Sequence, residues 1–165
     1  WLYEMLSVLK KNDVVAVSCK EYPRSDADLF SRVQMWTHYN WLGMANQDKI
    51  LSKPVSSDYQ TLRKHSQLTD VACLIKEAVF SKYKFRGEYA EDIDLGLRLI
   101  HDGYKIAYVS SVGVVHSHTR SCYYYLKRSY LDSYSMSKLF SDFPPSKSEM
   151  DFNDLCNEMI FTYFN

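Results

Sequence analysis

The chain has 165 residues, 46% of them hydrophobic, which is enough for one globular domain with an apolar core. Its formal net charge is zero and its basic residues are scattered, which argues against a nucleic-acid-binding protein. No apolar run reaches the length of a membrane span and the four cysteines include no C-x-x-C pair, so we expect no transmembrane helix and no zinc knuckle.

Hydrophobic periodicity and turn signals predict alternating helices and strands in the first half of the chain. The predicted elements are a helix over 1–11, a strand over 13–19, a helix over 27–40, a strand over 69–75 and a helix over 76–81. The second of these helices is expected to be capped by Ser25 or Asp26. Residues 46–66 are polar and broken by Pro54, which predicts a mobile surface loop. Because the first helix is already under way at Trp1, we interpret the chain as a piece of a longer protein.

The second half begins with the clearest amphipathic pattern in the chain. Apolar residues at helical spacing follow Glu91 and stop at Gly103, a residue type that tolerates the left-handed conformation of a helix end. The remaining predicted elements are strands over 105–109 and 112–115, a helix that ends near 140, and a last amphipathic helix from 148. The order of elements predicts an α/β fold with few strands flanked by helices.

Three carboxylates occupy the first turn of the helix that ends at Gly103: Glu91, Asp92 and Asp94. Acidic residues are favoured in any first turn, so a capping role alone would explain them. Asp94 and Arg98 also have the spacing of a helical ion pair. The functional alternative is a general base, because the helix N-terminus keeps a carboxylate ionised and an ionised carboxylate can take a proton from a hydroxyl.

His116 and His118 end the β-rich segment that follows this helix. Two residues apart on an extended chain, their side chains point the same way and could bind a divalent metal, although hydrogen-bonded surface histidines are an equal alternative. The helix runs roughly 18 Å away from the acids, and the extended chain needs only seven or eight residues, at about 3.3 Å each, to return. Glu91, Asp92 and His116 are therefore expected to share one cleft.

Two segments resemble glycosyltransferase family 2. One is residues 90–109 (AEDIDLGLRLIHDGYKIAYV) together with VVHSH at 114–118, and the other is residues 15–28 (VAVSCKEYPRSDAD), which is closest to rhamnosyltransferase-like members. The resemblance implies the C-terminal half of a GT-A fold over 1–118 and a helical segment over 119–165. It also implies sugar transfer from a nucleotide diphosphate, UDP or dTDP, to a glycan or lipid-linked acceptor, in the cytoplasm or at the inner face of a membrane.

The same resemblance implies roles for individual residues. Asp92 would be the general base of an inverting displacement, and Glu91 would assist it or contact the acceptor. His116 would bind Mn²⁺ or Mg²⁺, which neutralises the leaving nucleotide diphosphate. The residues expected to contact substrates are Asp94, Arg120, Arg128 and Lys76, the last at a position where the family commonly has Arg.

The family's nucleotide-binding strands and its Asp-x-Asp metal motif precede the region that matches Trp1, and lie outside this chain. We therefore expect this chain alone to be inactive. Two other functions stay open at this point: a metal-dependent hydrolase that uses the same acids and histidines, and a non-catalytic interaction module. The second would be favoured if apolar faces exposed by truncation let copies of the chain self-associate.

Overall fold

The computed structural model describes residues 1–143, which form helices and strands in mixed order. The helices are α1 (Leu2–Lys11), α2 (Leu29–Trp41), α3 (Tyr59–His65), α4 (Glu77–Tyr83), α5 (Glu91–His101) and α6 (Cys122–Leu139). The strands are β1 (Ala16–Tyr22), β2 (Lys49–Leu51), β3 (Cys73–Ile75) and β4 (Ile106–Val115). Within this range, no helix has the length and apolar character needed to cross a membrane.

The strands form one mixed sheet in the order β2-β4-β1-β3. The central pair, β1 and β4, is parallel, and the short strands β2 and β3 pair antiparallel at the two edges. Because β1 and β4 are parallel, their carboxyl ends lie side by side at one end of the sheet. This end of the sheet lies next to the start of α5. The expected α/β class with few strands is confirmed.

Alternate residues of the two central strands face opposite sides of the sheet, as the pleat requires. One side packs against α1, through a cluster that includes Met5, Val17 and Ala107. The other side packs against α5 and carries the larger cluster, which includes Leu99 and Tyr108. The apolar stripe predicted for α5 is buried in this second cluster, so packing fixes the direction in which α5 presents its first turn.

The two strands predicted over 105–109 and 112–115 are one strand, β4, with a register shift in its pairing with β1. Gly113 lies just past the irregularity, where a Cβ atom would come within 2.5 Å of the carbonyl oxygen of Lys20. Because glycine has no side chain, Gly113 permits the close approach that keeps the two strands paired up to Val115.

Two other expectations are wrong. The cap of α2 is Asp28, whose carboxylate accepts a hydrogen bond from the backbone N–H of Ser31 at 2.7 Å, and is neither of the two residues proposed. The supposed loop over 46–66 contains β2 and α3. Pairing with β4 orders β2, and Asp58 caps α3 through the N–H of Thr61. The last helix, predicted from 148, lies outside the described residues.

Candidate functional site

A cavity of about 980 Å³ opens at the end of the sheet where β1 and β4 end. The first turn of α5, the histidines that follow β4 and the segment before β3 all line it. Its acidic, basic and imidazole-bearing residues are Glu21, His38, Arg63, Asp70, Glu88, Glu91, Asp92, His116, His118, Arg120, Arg128 and Asp132. The predicted meeting of Glu91 and Asp92 with His116 in one cleft is confirmed.

The backbone turns sharply where α5 begins. Ala90 precedes the helix in the left-handed conformation, with φ of 58°, and is buried. A non-glycine residue in this region is strained by about 1 kcal/mol or more, and such strain persists only where the surrounding packing fixes it. This turn places Glu91 and Asp92 on the wall of the cavity.

Asp92 is the most perturbed carboxyl group of the site. Burial raises its pKa from 3.8 to about 6, against the lowering effects of the Ile93 N–H, which donates to Asp92 Oδ1 at 2.8 Å, and of the Arg63 guanidinium. Asp70 and Glu91 add smaller effects that raise it. The expected effect of the helix N-terminus is present, because the Ile93 N–H lowers this pKa, but desolvation outweighs it and the net effect raises the pKa. A pKa near the working pH suits a general base.

Arg63 is a site residue that the sequence analysis missed. It is only 9% exposed, and its Nη1 donates to Gln67 Oε1 at 2.5 Å. Its positive charge counteracts the burial of Asp92, although no ion pair joins the two side chains within 4 Å among the described residues. The sequence offered no usable signal, because Arg63 belongs to α3, in the segment predicted as a loop.

A hydrogen-bonded row of side chains leads to the two histidines. The Thr69 hydroxyl donates to Glu21 Oε1 at 2.9 Å, and Glu21 Oε2 lies 2.7 Å from His116 Nδ1. The Nε2 atoms of His116 and His118 are 3.0 Å apart. Glu21 was also missed. The parallel pairing that sets Glu21 opposite Val114 brings it beside His116, and the sequence alone does not reveal this pairing.

The two arginines expected to contact substrates, Arg120 and Arg128, also line the cavity. Arg128 forms an ion pair with Asp132 at 2.8 Å, and its guanidinium lies 5.4 Å from the ring centre of Tyr89. The guanidinium of Arg120 lies 5.2 Å from the ring centre of Tyr124. Both cations are therefore held at the rim by aromatic neighbours.

Two of the predicted substrate contacts are not brought into this cavity. Asp94 forms the predicted ion pair with Arg98, at 2.7 Å, and lines a separate cavity of about 560 Å³ on another side of α5. Lys76 lies at the start of α4 and does not line the cavity of Asp92. Helical periodicity explains the first case, because Asp94 is rotated away from Asp92 around α5.

The donor atoms for a metal ion are few. Among residues 1–143, no three side chains of His, Cys, Asp or Glu are arranged to hold a metal ion together. Two imidazole nitrogens do converge, those of His116 and His118. The residues present therefore fit part of a coordination shell, with the remaining positions left to substrate oxygens, water or other protein groups.

No family model, curated protein or solved structure matches this chain. Its relationship to glycosyltransferase family 2 is therefore a proposal that depends on residue motifs and on the geometry of the cavity.

The pKa of Asp92 predicts a pH-dependent gain in stability for Asp92→Asn. The folded-state pKa of about 6 lies above the unfolded value near 3.8, so ionisation of Asp92 destabilises the fold progressively as pH rises from about 4 to 6. The neutral variant should unfold at higher urea concentration than wild type at pH 7, with little difference at pH 4.

Asp94→Asn is the matched control for this measurement, because it removes a carboxylate of the same helical turn that is paired with Arg98. This control should be less stable than wild type at pH 7. A stability change for Asp92→Asn that is equal at both pH values would contradict the assignment of a raised pKa to Asp92.

Proposed function

We propose that this chain forms the acceptor-side half of an inverting glycosyltransferase site of the GT-A type, with Asp92 as the general base. The observation that carries the proposal is the environment of Asp92. Asp92 is half-buried, has a pKa of about 6 and lines a cavity that also contains the histidines and two rim arginines. This combination suits proton removal from a neutral hydroxyl close to a polyanionic leaving group.

The acceptor hydroxyl would donate a hydrogen bond to the ionised carboxylate of Asp92. As the hydroxyl oxygen attacks the anomeric carbon of the donor sugar, the bond from that carbon to the nucleotide diphosphate breaks, and the hydroxyl proton moves to Asp92. Glu91 lines the same wall and would hold a neighbouring hydroxyl of the acceptor. One displacement inverts the anomeric configuration.

The aromatic lining of the cavity supports a glycan or lipid-linked sugar as acceptor. The aromatic side chains there are Phe30, Trp41, Tyr59, Tyr89 and Tyr124. Aromatic faces bind the apolar faces of sugar rings, and the polar groups around them bind the hydroxyls. Arg120 and Arg128 would bind the diphosphate oxygens of a UDP- or dTDP-sugar. A divalent cation bound at His116 would supply further positive charge to the leaving diphosphate.

A metal-dependent hydrolase is the weaker candidate. Such enzymes usually hold the catalytic ion with three protein ligands and keep an open position for water. In the part of the chain that the structure describes, two imidazole nitrogens converge without a third ligand.

The proposal predicts that transfer requires a nucleotide-binding half. This chain alone should show no turnover with UDP- or dTDP-sugars, Mn²⁺ and glycan acceptors, whereas a protein that joins it to such a half should release nucleotide diphosphate and form an inverted glycosidic bond. NMR spectroscopy of the product's anomeric proton shows whether a glycosidic bond has formed and which anomeric configuration it has. Turnover by this chain alone would contradict the half-site assignment, and a retained anomeric configuration would contradict the role of Asp92.

A further inference from the structure

Arg63 is a buried cation whose hydrogen bonding is incomplete. The residue is only 9% exposed, and it lines the cavity from α3. A guanidinium carries five N–H donors, whereas within residues 1–143 the guanidinium of Arg63 donates only to Gln67 Oε1, through Nη1. Among the described residues, the fully enclosed side-chain polar atoms without a partner belong to Ser18 and Tyr108, not to Arg63. The free donors of Arg63 are therefore open to the cavity.

No carboxylate neutralises this guanidinium at close range. Asp92 and Asp132 act on Arg63 through space, but in the described part of the chain neither forms an ion pair with it within 4 Å, and Asp132 is paired with Arg128 instead. Desolvation lowers the pKa of Arg63, although an arginine stays charged at neutral pH. A buried charge without a partner is strongly unfavourable, so proteins pair such charges with a counterion or a ligand.

The groups beside Arg63 are also hydrogen-bond donors. Gln67 is buried, and because its Oε1 accepts from Arg63, its amide nitrogen is left to donate. His38 is close enough to feel the charge of Arg63. Desolvation and this charge lower the pKa of His38 to about 4, so its imidazole is neutral at pH 7 and keeps one N–H to donate. The three side chains together suit a ligand group that only accepts hydrogen bonds.

The part of the cavity wall that α2 and α3 form together with Gln67, here named the α2–α3 wall, differs from the rest of the cavity. Its cavity-lining residues are Phe30, Val33, Gln34, Thr37, His38, Trp41, Tyr59, Arg63 and Gln67. Arg63 is the one charged side chain among these described residues, because the acids of the cavity come from other segments. The rings of Trp41 and Tyr59 lie 6.4 Å apart and offer apolar faces to a sugar ring.

We propose that the α2–α3 wall is a subsite for an acidic sugar residue, and that Arg63 binds the carboxylate of this sugar with Gln67 and His38 as further donors. A carboxylate accepts two parallel N–H groups of a guanidinium and carries the single charge that Arg63 can neutralise. A phosphate monoester carries nearly two charges at pH 7 and would leave one of them uncompensated on this wall. The assignment of the acidic sugar to the acceptor rests on the proposed function, whereas binding of the carboxylate does not.

The test compares three ligands of the purified chain: methyl glucuronide, its uncharged analogue methyl glucuronamide, and inorganic phosphate. Calorimetry measures the affinities, and nitrogen-15 NMR of the arginine side chains follows the Nε–H group of Arg63. Methyl glucuronide should bind about 10- to 100-fold more tightly than the amide, which cannot form a charge-assisted hydrogen bond, and should shift the Arg63 resonance. Phosphate should bind more weakly than the glucuronide.

Arg63→Met should abolish the preference for the glucuronide over its amide. The variant should fold, because it removes a buried charge that has no close counterion. Arg63→Lys should keep part of the preference, since an ammonium retains the charge but not the bidentate fork. Arg86→Gln is the matched control, because Arg86 is exposed and lines the separate cavity of Asp94, and it should bind the glucuronide like wild type.

Equal affinity for the glucuronide and its amide, or a wild-type Arg63 resonance that the glucuronide does not shift, would overturn the carboxylate subsite, and neither measurement needs a variant to fold. Tighter binding of phosphate than of the glucuronide would overturn it as well, by assigning Arg63 to a phosphate group.

The acceptor assignment is tested in a protein that joins this chain to a nucleotide-binding half. Transfer to an acceptor that ends in a uronic acid should be faster than transfer to its neutral counterpart, and Arg63→Met should remove this difference. Glucuronide binding without any transfer would count against the proposed function and leave the subsite standing. Transfer with no preference for the acidic acceptor would refute the acceptor assignment and leave the proposed function standing.

Discussion

Replacing Asp92 with Asn is expected to lower the rate of glycosyl transfer by about 10²- to 10⁴-fold in a protein that joins this chain to a nucleotide-binding half. The amide has the shape of the carboxyl group but cannot take a proton from the acceptor hydroxyl. Affinity for the nucleotide sugar should be nearly unchanged, because the proposed diphosphate contacts are Arg120, Arg128 and the cation, and not Asp92. Initial rates and calorimetric donor binding, measured on the same preparation, separate the two effects.

The pH dependence of kcat/KM gives a second test of Asp92 as the general base. Because the folded-state pKa of Asp92 is about 6, kcat/KM should rise with pH through this value in wild type. The Asp92→Asn variant should not show this rise. Glu91→Gln is the matched control, and it should reduce transfer less, since Glu91 holds the acceptor without removing its proton. If donor binding collapsed in Asp92→Asn, Asp92 would instead be a donor or metal ligand.

Replacing Gly96 with Ala is expected to destabilise the fold by about 3 kcal/mol, near the upper end of the usual range for overpacking. Gly96 lies in the middle of α5, and a Cβ atom there would come within 2.0 Å of the carbonyl oxygen of Ser66, a backbone atom at the end of α3. No side-chain rotation can relieve this clash, so α3 must move away from α5. Urea unfolding of this chain, at pH 7, measures the loss.

Gly103→Ala separates this steric effect from the general cost of replacing a glycine. Gly103 has a φ of 84° and open space around its Cβ position, so its replacement adds backbone strain of about 1 kcal/mol without a clash. Because α3 carries Arg63, the Gly96→Ala variant should also shift the pKa of Asp92 measured by NMR. A loss of stability no larger than that of Gly103→Ala would contradict the close packing of α3 on α5.

The same glycine explains how the site is assembled. The close contact between Gly96 and Ser66 holds the end of α3 against α5, and α3 supplies the buried guanidinium of Arg63 while α5 supplies Asp92. A substitution in the core at this point should therefore affect both folding and the ionisation of the proposed base. Stability and site chemistry are linked through one helix–helix contact.

The sequence by itself determined the strongly periodic elements and the parts of the site that lie next to them. Apolar spacing identified α1 and α5, and Gly103 marked the end of α5 with the expected left-handed conformation. The spacing of acid cluster, helix and returning strand was enough to predict that Asp92 and His116 share a cavity, because helix rise and strand rise are constants of the backbone.

Only the tertiary structure decided the partners that tune this site. Glu21 reaches His116 through the parallel register of β1 on β4, and Arg63 reaches the cavity because α3 packs on α5. Both contacts join residues far apart in sequence, so local periodicity carries no signal for them. The pKa of Asp92 is a similar case: the helix N-terminus, which lowers it, is visible in the sequence, whereas the burial that outweighs this effect and raises the pKa is a property of the folded chain.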